Sequence, residues 1–202
     1  MGLLPVADDH LATIVTTLEM RERPRPRPIP PSPFRLVHWP APDSEKYRAL
    51  FRRVGGPWLW FSRLVMADAE LEAIIRHPDV TLFEVAAVEA VAGMLELDFR
   101  EPGECELAFI GLVPALAGMG HGKWLLAEAV RLAWRDGVRR VHVHTCTLDH
   151  PAALAAYRRA GFVPYKRAIE RFPDPRLAGI LPKDCAPQVP LFGTDAPPAP
   201  DS

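Results

Sequence analysis

The sequence predicts an α+β domain, on three observations. Three strand-like apolar runs, residues 81–88, 91–99 and 105–113, follow one another across a two-residue turn and a loop holding Pro102-Gly103, which reads as a meander of antiparallel strands. A glycine-rich turn then opens a helical stretch that leads to a further strand, the pattern of a β–α–β crossover. Proline gathers at the ends: nine of the 23 lie before residue 43 and eight after residue 172, so the middle is free to fold.

Taken in order, residues 11–20 are rich in Ile, Val and Thr and read as a strand. The run Arg23-Pro24-Arg25-Pro26-Arg27-Pro28-Ile29-Pro30-Pro31-Ser32-Pro33 reads as polyproline II, a stiff connector that also holds PxxP spacings. Residues 34–39 form a second short strand. Residues 44–54 place apolar side chains at 47, 50, 51 and 54, which is helical spacing, and Gly55-Gly56 ends the run. A second helix spans 68–77, with Asp68 as N-cap and Pro78 behind it. Glu89-Ala90 is short enough only for a hairpin turn between 81–88 and 91–99. After the strand at 105–113 comes a helix running to Gly137, a strand at 138–147, and a helix at 151–160 with Pro151 at its first position and Gly161 beyond its end. Residues 162–172 close the domain as a strand. The expected division is an N-terminal strand and Pro/Arg-rich extension (1–33), a folded domain (34–172) and a proline-rich tail (173–202), poorly ordered from 187 onward.

Lys plus Arg is 24 and Asp plus Glu is 25, a net charge of −1, which argues against nucleic acid held by bulk positive charge. No apolar run approaches 18 residues, so no membrane partner is expected. The opening residues lack a basic segment and are not expected to be a secretory signal. Three cysteines without paired spacing, Cys105, Cys146 and Cys185, suit a reducing, cytoplasmic compartment.

The central turn reads Leu112-Val113-Pro114-Ala115-Leu116-Ala117-Gly118-Met119-Gly120-His121-Gly122-Lys123. Its glycines let backbone approach a ligand closely, and the helix start offers free N–H groups and partial positive charge, which suits a pyrophosphate. A P-loop is excluded by Ala117 and Trp124, and a dinucleotide fingerprint by Lys123 and the preceding meander. His142 and His144 share a strand face with Cys146, but no fourth ligand is evident, so no metal is expected and a polar strand face is the reading.

This turn resembles the phosphate loop of the GNAT superfamily of acetyl-coenzyme A-dependent N-acetyltransferases, Gln/Arg-x-x-Gly-x-Gly/Ala, with Ala117 at the first position. A second stretch, His150-Pro151-Ala152-Ala153-Leu154-Ala155-Ala156-Tyr157-Arg158-Arg159-Ala160-Gly161-Phe162, is similar to the superfamily's Asn-x-x-Ala-x-x-x-Tyr-x-x-x-Gly-Phe, with His150 at the Asn position. The resemblance covers about residues 34–172 and implies a mixed, mostly antiparallel sheet flanked by helices in three α/β/α layers. It implies direct transfer of an acetyl group from acetyl-CoA to a small-molecule or peptide amine. It implies cofactor contacts from Leu112, Val113, Gly118, Met119, Gly120, His121, Gly122, Lys123 and His150, and a proton donor to the leaving thiolate in Tyr157. Glu106, eleven residues before Ala117, matches the glutamate base of the histone acetyltransferase branch, with Glu96 and Asp98 as competitors. Alternation expects Glu106 on the face of Ala108 and Ile110, away from Phe109. Residues 57–63 fall where the superfamily's acceptor-side loop lies. The alternative is a non-catalytic CoA-binding module, which would have no need of Tyr157. A homodimer is possible, since the first strand could pair within the chain or with a neighbour.

Overall fold

The computed structural model describes residues 2–88 and 90–192. Strands β1 (His10–Met20) and β2 (Arg35–His38) precede helices α1 (Ser44–Gly55) and α2 (Asp68–Ile75). Strands β3 (Val80–Ala86), β4 (Val91–Asp98) and β5 (Glu104–Leu112) follow, then α3 (His121–Ala133), β6 (Arg140–Cys146), α4 (Ala153–Ala160) and β7 (Val163–Pro173). One sheet takes the seven strands in the order β2-β3-β4-β5-β6-β1-β7. Only β5 and β6 run parallel; every other neighbour is antiparallel.

The layers follow from side-chain periodicity. Helix α1 buries Tyr47, Leu50, Phe51 and Val54, and these meet Met94 and Leu82 on one face of the sheet together with Leu71 and Ile75 of α2. Helix α3 buries Trp124, Leu125, Ala129, Val130 and Ala133 against Leu95, Leu107, Val141, Val143 and Leu18 on the other face, where α4 adds Tyr157 and Ala160. The expected three-layer α+β architecture is therefore present.

Three local expectations are corrected. Asp68 is the first helical residue and not the N-cap, because Ala67 takes the cap position and its N–H is held by Glu70 Oε2 at 3.2 Å; the Asp68 carboxylate binds Arg48 instead. Helix α3 stops at Ala133, short of Gly137, where Trp134 leaves helical geometry and buries its ring. Helix α4 starts at Ala153 and not at Pro151, because His150 Nδ1 accepts the Ala152 N–H at 3.1 Å and a turn precedes the helix. The β3–β4 hairpin is closed by the Ala87 N–H to the Ala90 carbonyl at 2.8 Å; Glu89 of the expected turn lies outside the described residues.

Both compositional flanks join this structure. Strand β1 sits inside the sheet, pairing with β6 from Val15 to Met20 and with β7 from His10 to Glu19. After β7, Arg176 is buried, binding Asp174 Oδ2 at 2.7 Å and the Val189 carbonyl at 2.8 Å. Leu181 and Ala186 pack on Leu59, and Val189 joins them; the expected poorly ordered tail otherwise lies, from residue 193, outside the described residues. Among the described residues, no helix is long and apolar enough to cross a membrane.

Candidate active site

Strands β5 and β6 pair only at their starts, from Glu104↔Arg140 to Glu106↔His142. Beyond that point they part, and the gap opens into a cleft of about 790 Å³. A β-bulge lies at the parting. Glu96 of β4 faces Phe109 while Leu97 faces Leu107, so Ala108 is the extra residue. A bulge bends its strand and re-aims the side chains on either side. It also overturns the expected alternation: Glu106, opposite Asp98, shares the α1 face of the sheet with Phe109, while Ile110 turns to the α3 face. At the far end of β5, the Val113 N–H bonds to the Ala92 carbonyl of β4 at 2.8 Å. Alternation then turns the Leu112 N–H toward the cleft.

The glycine turn follows directly. Gly118 and Gly120 adopt φ of +79° and +84°, values that side chains with a Cβ rarely tolerate. Gly120 caps α3 without a side-chain acceptor, so the first amides of the helix are offered outward. A Cβ at Gly118, Gly120 or Gly122 would meet no protein atom within 4 Å. Gly122 is neither strained nor crowded by protein, so its bareness leaves room at the helix start. Lys123 borders the same wall.

Helix α4 supplies Tyr157. Its ring meets Phe162 edge-on at 5.9 Å, and burial pushes its phenol well above the ordinary value, with the Asp149 charge adding to the effect. The hydroxyl therefore keeps its proton at neutral pH. His150 presents its ring edge to Trp58 at 5.1 Å. Asp149 ties the end of β6 to the loop after α1: its Oδ2 accepts from Thr145 Oγ1 at 2.7 Å and Cys146 N–H at 2.9 Å, and its Oδ1 from Trp60 Nε1 at 3.1 Å. That loop brings Trp58, Trp60, Phe61 and Arg63 to the cleft.

Of the sequence-nominated residues, Glu106, Leu112, Gly118, Gly120, Gly122, Lys123, His150 and Tyr157 line this one cleft, while Val113, Met119 and His121 lie outside its wall. Val113 packs toward the α1 cluster, Met119 projects into solvent, and His121 sets its ring edge-on to Phe34 at 4.8 Å. Arg63, within the expected acceptor-side segment, also lines the cleft, as do Asp149 and Glu170, which the sequence did not single out. Asp149 had a local signal, an acidic residue at a strand end before His-Pro; Glu170 had none, since its approach depends on β7 closing the sheet.

The carboxylates divide. Glu96 is fully buried and accepts from Tyr47 at 2.5 Å and from Arg63 Nη2 at 2.6 Å. Asp98 is gripped by Arg100 through Nε and Nη2. Glu106 Oε1 lies 3.1 Å from His144 Nδ1. The His144 hydrogen bond holds the Glu106 carboxyl below its ordinary range although burial opposes this, and the same bond raises the His144 imidazole. His142 lies 3.6 Å from Glu104, and among the described residues no group of three His, Cys, Asp or Glu side chains is placed to hold a metal ion.

Comparison with known proteins bears on the fold and the family. A stretch of 71 residues is 44% identical to the N-alpha-acetyltransferase RimI of Mycobacterium tuberculosis, covering 35% of this chain and 42% of that protein. The chain thus spans less than half the length of this curated relative. Among solved structures, a GCN5-related N-acetyltransferase from Sphaerobacter thermophilus superposes with a TM-score of 0.58 at 21% identity, over 80% of this chain and 51% of that one. An aminoglycoside acetyltransferase from an uncultured soil metagenomic sample gives 0.51 at 16% identity, over 63% and 87%. These likenesses concern the fold. The profile of the acetyltransferase (GNAT) family matches residues 34–162, from β2 through α4, and this chain belongs to that family of acetyltransferases.

Proposed function

We propose that the protein moves an acetyl group from acetyl-CoA to a primary amine, by direct transfer with both substrates bound together. The observation that carries this reading is the convergence on one cleft of an open glycine turn, the unpaired side of β5 and the half-buried phenol of Tyr157. The amides and partial charge at the start of α3 suit a pyrophosphate, and Lys123 adds a point charge. The free side of β5 suits the amide-bearing arm of the same molecule, bound as an added strand would be. The thioester supplies an activated acetyl group.

In this reading the Leu112 N–H receives the charge that develops on the thioester oxygen. Tyr157 gives its proton to the departing sulfur, a role that requires a phenol still protonated at neutral pH. The acceptor enters past Trp58, Trp60 and Phe61, toward Glu106 at the start of β5. Fixing the two substrates side by side supplies a large part of the rate. The similarity to an N-alpha-acetyltransferase makes peptide α-amines the first acceptors to try. An α-amine is neutral on the order of a tenth of the time at pH 7, a lysine-type amine less than about a thousandth. The three free cysteines fit a reducing, cytoplasmic setting.

The test is calorimetric titration with acetyl-CoA and with desulfo-CoA, followed by incubation with a hexapeptide bearing a free α-amino end and, separately, a lysine-type amine. Binding at a hundredfold excess over Kd is expected to stabilise the fold by roughly 2.7 kcal/mol. Failure to bind either nucleotide overturns the reading. Binding without transfer to any amine favours a CoA-binding module instead.

A further inference from the structure

We propose that His144 is the group that takes the proton from the incoming amine, and that Glu106 acts through it by holding its ring. This rests on the acetyl-transfer reading above and assigns the base within it.

The geometry is that of a carboxylate–imidazole pair at the cleft wall. His144 Nδ1 lies 3.1 Å from Glu106 Oε1, and both side chains border the cleft. An ionised carboxylate only accepts hydrogen bonds, so Nδ1 must carry the hydrogen and the lone pair is left on Nε2, at the opposite edge of the ring. The His144 side chain is 53% exposed and the Glu106 side chain 32%, so the imidazole is the more reachable of the two. The same carboxylate that fixes the tautomer also stabilises the imidazolium that forms.

The carboxylates nominated from the sequence are each otherwise engaged. Glu96 has no exposed surface and is filled by Tyr47 and Arg63. Asp98 is engaged by Arg100 through two nitrogens. Glu106 is itself held low by His144, which makes it a weak base near neutrality. His144 is shifted the other way, first by the Glu106 hydrogen bond, with burial opposing and with the charges of Asp149 and Glu170 adding. Those groups face it from β5, from the loop after β6 and from β7. On its own strand His142 and Cys146 flank it on the same face; β1 places Thr17 opposite, which does not titrate, and Lys166 of β7 stands beyond Thr17. Three carboxylates around one imidazole also suit a substrate that arrives as a cation.

The step balances. One N–H bond of the ammonium breaks and its proton passes to Nε2. The freed pair forms the N–C bond to the acetyl carbonyl carbon, the C–S bond breaks with its pair on sulfur, and Tyr157 protonates the sulfur. The nitrogen's second proton, lost as the amide forms, restores Tyr157 through solvent. His144 releases the first proton, the single proton released overall.

Two measurements test this. In nitrogen-15 NMR of the whole protein, with His144 assigned by its disappearance in His144→Gln, the neutral ring is expected in the Nδ1–H form and titrating above the ordinary imidazole range, and to titrate lower in Glu106→Gln. An Nε2–H ring overturns the proposal without any appeal to activity. With saturating hexapeptide, kcat is expected to rise with pH along the His144 titration. His144→Gln is expected to lose that limb and about 100-fold in kcat at neutral pH, with the acetyl-CoA Kd unchanged. Glu106→Gln is expected to keep the limb, moved to lower pH. A limb that survives in His144→Gln and vanishes in Glu106→Gln makes Glu106 the base and overturns the assignment. A wild-type protein inactive toward both amines overturns the transfer reading itself, and this role with it.

Discussion

Two carboxylates on the same face of the sheet, Glu96 of β4 and Glu106 of β5, each meet a nitrogen base, and their surroundings make them different objects. Glu96 is sealed between α1 and the sheet, with Arg63 on one oxygen and Tyr47 on the other. Burial and the Glu96 charge push the Tyr47 phenol far up, so that hydrogen stays in place. Glu106 sits where β5 leaves β6, with one imidazole partner and open cleft beside it. A saturated, dry carboxylate fixes a loop; a half-satisfied, reachable one leaves a proton to move. The bulge at Ala108 separates the two cases, since it marks where the strand stops being interior sheet and becomes cleft wall.

The comparison can be broken or sharpened by substitution. The largest effect is expected from Gly120→Asp, which combines a disfavoured φ of +84° with a carboxylate at the helix start; acetyl-CoA binding should be abolished in a titration while the far-UV spectrum is retained. Next is Glu96→Ala. It leaves the buried Arg63 without its charge partner and should cost about 3–5 kcal/mol by denaturant unfolding, whereas replacing Glu96 and Arg63 together by Met and Leu should recover most of that loss. If Glu96→Ala costs no more than a surface change, the contrast between the two carboxylates fails. Tyr157→Phe should lower kcat roughly 10- to 1000-fold with little change in acetyl-CoA affinity, and an unchanged kcat removes the phenol from the chemistry.

The smallest effect is on stability at the cleft. Glu106→Gln should change the unfolding free energy by no more than about 0.5 kcal/mol at neutral pH, as for an exposed pair. The sign depends on pH. Glu106 is shifted down, so its contribution is present above its ordinary value and lost as pH falls through the lower, folded one. His144 is shifted up, so its contribution is present below its ordinary value and lost as pH rises through the higher, folded one. Both are complete only between roughly pH 4.3 and 6.5, and the difference in Tm between wild type and Glu106→Gln should be largest there.

Most elements of this fold were legible because strand and helix periods are local. Among the described residues, the seven strands and four α-helices fall within a few residues of their expected places. Order in the sheet is not local, and nothing in residues 11–20 says that their neighbours lie beyond residue 140. The face of Glu106 was misread for the same reason: the bulge at Ala108 has no glycine or proline to announce it, and it exists because β4 and β5 pair out of step. The glycine turn and Tyr157 could be read from spacing. The tie between Glu106 and His144, 38 residues apart, needed the short parallel register that brings β5 beside β6.

The place of β1 has a consequence for synthesis. It leaves the ribosome first of the seven strands, yet its partners β6 and β7 leave last. At about 5–20 residues per second, roughly eight to thirty seconds separate the emergence of Met20 from that of Pro173. Until β6 emerges neither edge of a strand carrying Ile14, Val15 and Leu18 has its partner, and until β7 follows one edge still lacks it, so the nascent chain depends on keeping this segment from other chains until its own last strand arrives.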